Sequence, residues 1–522
     1  MKRRSFLKAM GVTLASLPII GNRPLAALSS APTFDNLRRL TAGTDKIFVL
    51  VQLRGGNDGL NTLVPKENPL YYERRPTIAI PKENTLPLTD TLGWHPSCEG
   101  LRILFDEGRL AIVQGVTYPN PNRSHFRGTD IWITATDANV FESTGWVGRY
   151  LELTHPEYPD TLPTDPLAIE IGGFSSRIFQ TSKGNVAVTF SDPEEFYQLV
   201  GESPTPAFPP APDTPAGKEL EFVRTIATAS NIYSKRVKEA ADKGHNAVEY
   251  PEDNDLAQSL KIVARLIAGG LQTPIYLVSI RGNAFDTHAN QGGVEGEHAT
   301  LLAEVSSALR LFLDDLRSLG LEDRVAGMTF SEFGRRVQEN GSLGTDHGTA
   351  APLFVFGGSV NGGMIFGEDP DLENLDNRGD LLMQYDYRQV YSSVLAQWFQ
   401  APETQIEQIL FRDFTELPLF KITGVTNEPS PSPTTVPLQL LQMFPAPANG
   451  SVTLRYRVQQ PGTLAIAVYN LKGQHILTLL QQFAATGEYQ RTFDTTPLRS
   501  GTYILQLQLD RYQTYHRLDI VH

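Results

Sequence analysis

The sequence has 522 residues but only one cysteine, Cys98, and no apolar run long enough to span a membrane. A single cysteine excludes an internal disulfide, and we interpret Cys98 as a small buried residue. Positive charge is also scarce: 45 lysines and arginines face 58 acidic residues, a net charge of -13. This balance argues against nucleic acid and anionic membranes as partners, because both attract basic surfaces. Any site for an anion must therefore rely on local arginines or on a metal.

The remaining composition, 40% hydrophobic and 20% charged, is typical of a globular protein of more than one domain. Four apolar runs have the length of buried strands: Lys46–Leu53, Ile275–Ile280, Val325–Phe330 and Pro352–Phe356. Helical patterns such as Leu301–Leu319 lie between them. This alternation predicts a doubly wound α/β fold with a mostly parallel sheet, and the succession from Ile275 to Phe356 implies parallel, right-handed crossovers.

Residues 1–31 are predicted to be an export signal. A basic head containing Arg3 and Arg4 precedes a short apolar run from Ala9 to Ile20, and small residues follow. The head resembles the twin-arginine signal, and a general secretory signal is the alternative. Either signal predicts that the protein leaves the cytoplasm.

Acidic and imidazole side chains follow the predicted strands. Asp286 and His288 come just after Ile280, Glu332 comes just after Phe330, and Asp346 and His347 lie in the loop before Pro352. Open α/β sheets keep their ligands at such strand ends, and these oxygen and nitrogen donors bind divalent metals. The alternative is that they are ordinary loop carboxylates and histidines.

Two further candidates have equally simple alternatives. Asp58 lies in a glycine-rich loop after the first strand, where it can be a metal carboxylate or part of a plain turn. Ser124, between Arg123 and His125 at a predicted helix start, can be a nucleophile or only an N-cap. No phosphate-cradling lysine motif follows the first strand, so a nucleotide P-loop is not supported and no organic cofactor is predicted.

The pattern of apolar and polar residues changes after a linker rich in proline, serine and threonine, residues 422–438. It separates a body, residues 46–421, from a C-terminal module, residues 439–522. Apolar and polar residues alternate in six short segments of the module: Val452–Val458, Thr463–Tyr469, His475–Leu480, Tyr489–Phe493, Thr502–Leu509 and His516–Val521. Such spacing predicts a small all-β immunoglobulin-like sandwich.

The C-terminal module resembles the type A sorting domain of the type IX secretion system of Bacteroidetes-type bacteria. The resemblance lies in Phe444–Pro447, Val468–Gly473 and Leu498–Ile504, with Pro-Ala-Pro where the family usually has Pro-Asn-Pro. It implies the type IX secretion machinery as a partner and an extracellular or outer-membrane surface location.

The body resembles the domain-of-unknown-function family 1501, which is grouped with the alkaline-phosphatase-like superfamily of phosphatases, sulfatases, phosphodiesterases and phosphomutases. The residues that carry the resemblance are Leu53–Asn61, Ser124–Phe126, Thr144–Trp146, Asp286–His288, Ser331–Arg335 and Gly344–Gly348. The resemblance implies an alkaline-phosphatase-like fold.

The same resemblance implies roles for single residues. Ser124 matches the nucleophile, and the implied metal ligands are Asp58, Asp286, His288, Glu332 and His347, with Asp346 as a further candidate. Phe333 stands where the superfamily has a second histidine. The sequence therefore supplies ligands for a site with one metal ion more readily than for a site with two.

We therefore hypothesise an exported metal-dependent hydrolase acting on a small anionic phosphate or sulfate ester. One or two divalent ions are implied, with zinc, manganese and calcium left open, and Arg123, Arg335 or Arg54 would hold the anionic group. The alternative is a catalytically inactive surface protein of the same fold that binds polysaccharide or another secreted protein.

Overall fold

The computed structural model describes residues 45–201, 211–212, 214–421, 438–459, 461–470, 475–509 and 512–521, and the paired strands Ile19–Ile20 and Arg23–Pro24. The predicted export signal otherwise lies outside the described residues, as does the predicted linker except for Leu438. The chain divides into two compact units, residues 1–46 and 47–522. A search of the described residues finds no helix with the length and apolar character of a membrane span. The predicted domain boundaries stay predictions.

A mixed sheet forms the centre of the body. Its strands, numbered in chain order, are β1 Ile47–Gln52, β2 Leu110–Thr117, β3 Ala168–Ile171, β4 Ala187–Phe190, β5 Ile275–Ser279, β6 Val325–Phe330, β7 Ala351–Gly357, β8 Ile365–Phe366 and β9 Tyr385–Asp386. The spatial order is β4-β3-β5-β1-β6-β7-β2-β8, and β9 also pairs with β2. All described pairings are parallel except those of β7 with β6 and β2. The predicted mostly parallel sheet is confirmed.

Both faces of this sheet are covered, as a doubly wound fold requires. Along β1, Val49 and Val51 belong to one hydrophobic core, whereas Phe48 and Leu50 belong to the other. This alternation explains why the strand is continuously apolar in sequence. The described helices of six or more residues are α1 Pro69–Arg74, α2 Glu99–Asp106, α3 His125–Thr134, α4 Trp146–Thr154, α5 Pro215–Lys243, α6 Asp255–Ala268, α7 Glu297–Ser318, α8 Tyr387–Ser393 and α9 Glu403–Leu410.

Strand β7 departs from the expected parallel crossover. It follows β6 through a β-hairpin, Arg335–Glu339 with Thr345–His347, and no described helix lies between them. A strand that returns without a crossover must run antiparallel to its predecessor. Its first residue therefore lies at the same sheet edge as the last residue of β6, which places His347 at that edge.

The described part of the body also contains shorter elements. Among them are the helices Gly59–Thr62 and Pro193–Phe196, the small sheet Leu63–Val64, Leu86–Pro87 and Gly93–Trp94, and the hairpin Gln180–Thr181 with Gly184–Asn185.

The C-terminal module is all-β, as predicted. Its strands are Leu438–Asn449, Ser451–Val458, Gly462–Tyr469, His475–Ala484, Gly487–Asp494, Gly501–Leu509 and Tyr512–Ile520. They enclose a hydrophobic core of their own. The first strand was not predicted, because Pro445 and Pro447 interrupt its pattern. The immunoglobulin-like identity of the module stays a prediction.

The strands that carry the candidate site residues end side by side. Gln52 at the end of β1 is in register with Ser279 of β5 and with Phe330 of β6. The following loops come so close that a Cβ added to Gly55 would lie 2.4 Å from the backbone nitrogen of Asp286. Gly55 also has a φ of +117°, which side chains rarely adopt.

We therefore expect Gly55→Ala to lower the free energy of unfolding by about 2 kcal/mol, because of backbone strain and the clash with the Asp286 loop. Chemical denaturation followed by circular dichroism measures the difference. Gly341→Ala is the matched control, since Gly341 is exposed and a Cβ there would contact nothing within 4 Å. Equal stability of Gly55→Ala and the wild type would show that the two loops are not in contact.

Candidate metal centre

Three histidines surround the carboxylate of Asp286 at the edge where β1, β5 and β6 end. Oδ1 of Asp286 lies 3.0 Å from Nε2 of His347 and 3.1 Å from Nε2 of His288. Oδ2 lies 3.2 Å from Nε2 of His125, the first residue of α3. One ligand atom each from His125, Asp286 and His347 lies within 4.8 Å of the others. His288 joins them, because its Nε2 is 2.8 Å from Nε2 of His347.

The protonation of His347 follows from its outer hydrogen bond. Nδ1 lies 2.7 Å from the backbone oxygen of Arg123, which can only accept, so Nδ1 carries the proton of the neutral ring. Nε2 then has a lone pair and no proton, and it faces Asp286 and His288. Burial lowers the pKa of His347, which disfavours a second proton on the ring.

His288 and His125 are oriented in the same way. Nδ1 of His288 donates to Oδ1 of Asp346 at 3.1 Å, and Nδ1 of His125 donates to Oε1 of Glu332 at 2.7 Å. Both Nε2 atoms therefore point towards Asp286 without a proton in the neutral rings. Nε2 of His125 is buried and has no hydrogen bond among the described residues.

Electrostatics holds Asp286 in its charged form. Burial raises the pKa of Asp286, but the hydrogen bond from Arg335 and the positive charges around the carboxylate together have the larger effect, so the net shift is downward. The hydrogen bond to Glu332 raises the pKa of His125. In the metal-free protein a proton on His125 can thus offset the charge of Asp286.

These groups fit a divalent cation. Imidazole nitrogens without protons and carboxylate oxygens are all acceptors, so they lack a partner unless a proton or a metal cation lies between them. In metal sites the ligating histidine almost always donates its other ring N–H to a carboxylate or a backbone carbonyl. Glu332, Asp346 and the Arg123 carbonyl occupy those outer positions.

Of the sequence-predicted ligands, Asp286, His288 and His347 are brought together. Glu332 and Asp346 instead contact Nδ1 of His125 and of His288, on the side of each ring away from Asp286. Glu332 is buried and also accepts a hydrogen bond of 2.9 Å from the backbone of Gly55. Both carboxylates orient imidazoles through Nδ1 and do not lie inside the cluster.

Asp58 is not brought to the cluster. Its carboxylate is fully buried, forms an ion pair of 2.6 Å with Arg75, and accepts a hydrogen bond of 2.5 Å from Gln291. Burial raises the pKa of Asp58, but the charge and hydrogen bond of Arg75, together with His298 and Gln291, outweigh burial, so the net shift is downward. A carboxylate bonded in this way has no room for a metal, so the expected role of Asp58 as a ligand is not supported.

Arg335 also differs from its expected role. Its guanidinium has no exposed surface and donates to the backbone oxygens of Gly56 and Thr345 and, at 2.7 Å, to Oδ1 of Asp286. It therefore orients Asp286 and cannot reach a substrate. Arg123 is paired with Asp380, although part of it still faces the site.

An open cavity of about 490 Å³ lies against the cluster. Its lining residues are Arg123, His288, Arg336, Asp346, His347 and Arg378. The side chain of Arg378 is exposed, and Arg336 donates to the backbone oxygen of Arg378. The sequence alone suggested no role for Arg336 or Arg378.

Ser124 immediately precedes His125 of the cluster in the sequence. It is the N-cap residue of α3, but its side chain makes no capping hydrogen bond and is exposed. The interpretation of Ser124 as only an N-cap therefore loses its main physical reason. Its predicted role as a nucleophile stays a prediction.

His125 is the cluster residue that the sequence did not identify. It belongs to the motif Ser124–Phe126, in which the serine was the predicted functional residue. A histidine at the first position of a helix that follows a strand end was the available signal, because such a position faces the same sheet edge.

The described body is thus an α/β protein with an imidazole-rich candidate metal centre at a sheet edge. Residues 228–410 match the family model described as "Protein of unknown function (DUF1501)", a segment that includes Asp286, His288 and His347. Residues 442–521 match the "Secretion system C-terminal sorting domain". The predicted resemblance to both families is confirmed for these segments, and the sorting domain indicates export to the cell surface or the medium. No curated protein matches the chain at a significant level.

Several solved structures resemble the chain weakly. A protein in the alkaline phosphatase superfamily from Vibrio parahaemolyticus has 10% identity and a TM-score of 0.33, over 92% of this chain and 84% of the other. A sulfatase from Pseudoalteromonas sp. has 11% identity and a TM-score of 0.30, over 90% and 88%. A phosphonate monoester hydrolase from Silicibacter pomeroyi has 8% identity and a TM-score of 0.33, over 91% and 88%. At these scores the likeness is a resemblance only.

A buried histidine behind the centre makes the metal-free protein sensitive to acid. Burial lowers the pKa of His298 from 6.5 to about 3, and its Nε2 lies 3.0 Å from Oδ1 of Asn57. The unfolded chain takes up this proton below pH 6.5, whereas the folded chain does not until about pH 3. His298 therefore lowers stability as the pH falls through this window.

We expect His298→Gln to flatten the pH dependence of unfolding between pH 6 and pH 4 by up to about 1.4 kcal/mol per pH unit. Denaturant titrations with a chelator present measure this slope. The exposed His245 provides the control variant His245→Gln. A slope identical to that of the wild type would mean that His298 is protonated in the folded protein.

Proposed function

We propose that the protein is an exported metal-dependent hydrolase of phosphate or sulfate esters. One divalent cation would be bound by Asp286, His125 and His347, with His288 as a fourth ligand. The observation that carries this proposal is the convergence of the Nε2 atoms of three histidines on one carboxylate, that of Asp286. The sorting domain supports the exported location.

The donor set favours zinc. Three imidazoles and one carboxylate are typical zinc ligands, whereas calcium and manganese prefer oxygen donors. A single ion is also favoured by Phe333, whose ring centroid lies 5.0 Å from that of His125 and 4.6 Å from that of His347. This apolar ring takes the place where a second set of ligands would be needed.

A divalent ion at this site supplies a Lewis acid that stabilises negative charge on an ester oxygen. The chain's own residues orient the ligands: Arg335 fixes Asp286, and Glu332, Asp346 and the Arg123 carbonyl fix the histidines. Arg336 and Arg378 would hold the anionic group in the adjacent cavity through charge-assisted hydrogen bonds. These two arginines differ from Arg123, Arg335 and Arg54, which the sequence suggested for the anionic group.

Ser124 would act as the nucleophile. Its Oγ would attack phosphorus or sulfur and lose its proton, the bond to the ester oxygen would break, and the departing oxygen would take up that proton, carried by solvent, to form the alcohol. Water would then cleave the serine ester and release the anion. The exposure of Ser124 and its place beside His125 support this role.

Metal binding provides the first test. We expect the wild type to bind one Zn²⁺ per chain and His125→Ala to bind it more than about 100-fold more weakly, because one ligand is lost. Chelator competition measures the affinity, and the exposed His245 provides the control His245→Ala. A wild type without stoichiometric zinc affinity would contradict the proposal.

Turnover of aryl phosphates and sulfates provides the second test. We expect Ser124→Ala to lower kcat on the order of 10³-fold. Arg378→Met should raise KM roughly tenfold, since it removes one charged hydrogen bond to the anion. Arg102→Met, which alters an ion pair on α2, is the control.

Full activity of Ser124→Ala would remove this residue from the mechanism. A zinc-loaded wild type that is inactive towards the whole panel would favour the alternative, a non-catalytic protein that binds polysaccharide or another secreted protein.

A further inference from the structure

The buried side chain of Gln291 bridges three segments of the body. Its Nε2 donates to Oδ2 of Asp58 at 2.5 Å. Its Oε1 accepts from Oγ1 of Thr345 at 2.6 Å and from Oγ1 of Thr287 at 3.2 Å. Gln291 has no exposed surface, so water cannot replace these partners.

Both threonines belong to the loops of the proposed ligands. Thr287 lies between Asp286 and His288, and Thr345 lies two residues before His347. The backbone nitrogen of Thr345 also donates to the oxygen of Thr287 at 3.3 Å. The amide of Gln291 therefore connects the two loops that carry three of the four proposed ligands.

The other end of the bridge is firmly anchored. Arg75 pairs with Asp58 at 2.6 Å and donates to the backbone oxygens of Val337 at 2.9 Å and Arg336 at 2.8 Å. Asp58 is thus fixed to the hairpin that follows β6. Gln291 transmits this anchoring to the loops.

We infer that Gln291 is a positioning residue that sets the distance between the Asp286–His288 loop and the Thr345–His347 loop, with Asp58 as its anchor. The inference rests on the proposed metal centre. It also gives a role to Asp58, which the sequence assigned to the metal itself.

The bridge requires an amide, because Gln291 must donate to a carboxylate and accept from two hydroxyls at the same time. Leucine at this position would leave Asp58 and both threonine hydroxyls without this partner. Glutamate would place a second carboxylate against Asp58, and like charges at hydrogen-bond distance repel one another.

The test measures Zn²⁺ affinity by chelator competition, with the melting temperature of each metal-free protein. We expect Gln291→Leu to bind Zn²⁺ about 10- to 100-fold more weakly, the range for residues that orient metal ligands. The matched control is Gln397→Leu. Gln397 is likewise a bridging glutamine, but it contacts the backbone groups of Leu417, Leu419 and Phe420 and lies away from the two loops.

A second variant tests the bridge without altering Gln291 or the ion pair of Asp58. Thr345→Val keeps the size of the side chain but removes the hydroxyl that donates to Oε1 of Gln291 at 2.6 Å. We expect Thr345→Val to weaken Zn²⁺ binding, and to add little to the loss that Gln291→Leu already causes, because both changes break the same link.

The outcomes are distinguishable. A wild type that binds no zinc rejects the metal centre itself. A wild type that binds zinc while Gln291→Leu binds it equally well overturns the positioning role alone. The positioning role is also overturned if Gln397→Leu loses as much affinity at a similar melting temperature, or if Thr345→Val leaves the affinity unchanged.

Discussion

The candidate centre depends on one arrangement: each ring has its Nδ1 committed to an acceptor outside the cluster. The carboxylates of Glu332 and Asp346 and the carbonyl of Arg123 take those protons. Consequently the Nε2 lone pairs of three histidines face Asp286. These acceptors lack a partner unless a proton or a metal cation lies between them, and with a metal cation they become a ligand set. The charge of Arg335 keeps Asp286 ionised and oriented from behind.

The fold creates this arrangement by bringing strand ends together. Strands β1, β5 and β6 are parallel and in register, so the loops after them meet at one edge. Strand β7 contributes His347 from its amino-terminal side because it is antiparallel. Gly55 permits close contact between two of the loops, and the buried pair of Asp58 and Arg75 holds the hairpin. A buried ion pair of this kind is costly to desolvate, which makes a purely stabilising role a poor explanation for it.

The sequence was sufficient for the α/β class and for three of the residues that the structure brings together. Continuous apolar runs identified strands buried on both faces, and Asp286, His288 and His347 were recognised from their positions after such strands. Glu332 and Asp346 were placed at the same edge, but the structure pairs them with Nδ1 of His125 and of His288, which the sequence did not indicate. A carboxylate can be a metal ligand or the group that orients a histidine ligand. Residue type and position in the sequence do not distinguish these two roles.

Other features could not be predicted for related physical reasons. Whether Asp58 faces a metal or Arg75 depends on which partner the folded chain places beside it. Arg335 and Arg336 are neighbours in sequence, yet successive residues of a strand point in opposite directions, so one is buried and the other lines the cavity. The direction of β7 depended on the hairpin, whose turn residues resemble an ordinary loop.

The central claim is that several imidazoles and one carboxylate share a single metal ion. X-ray absorption at the zinc edge of the zinc-loaded full-length protein tests it most directly. The account predicts nitrogen and oxygen neighbours at about 2.0–2.1 Å with the multiple-scattering signature of imidazole rings. A spectrum with oxygen neighbours alone and no imidazole scattering would contradict it.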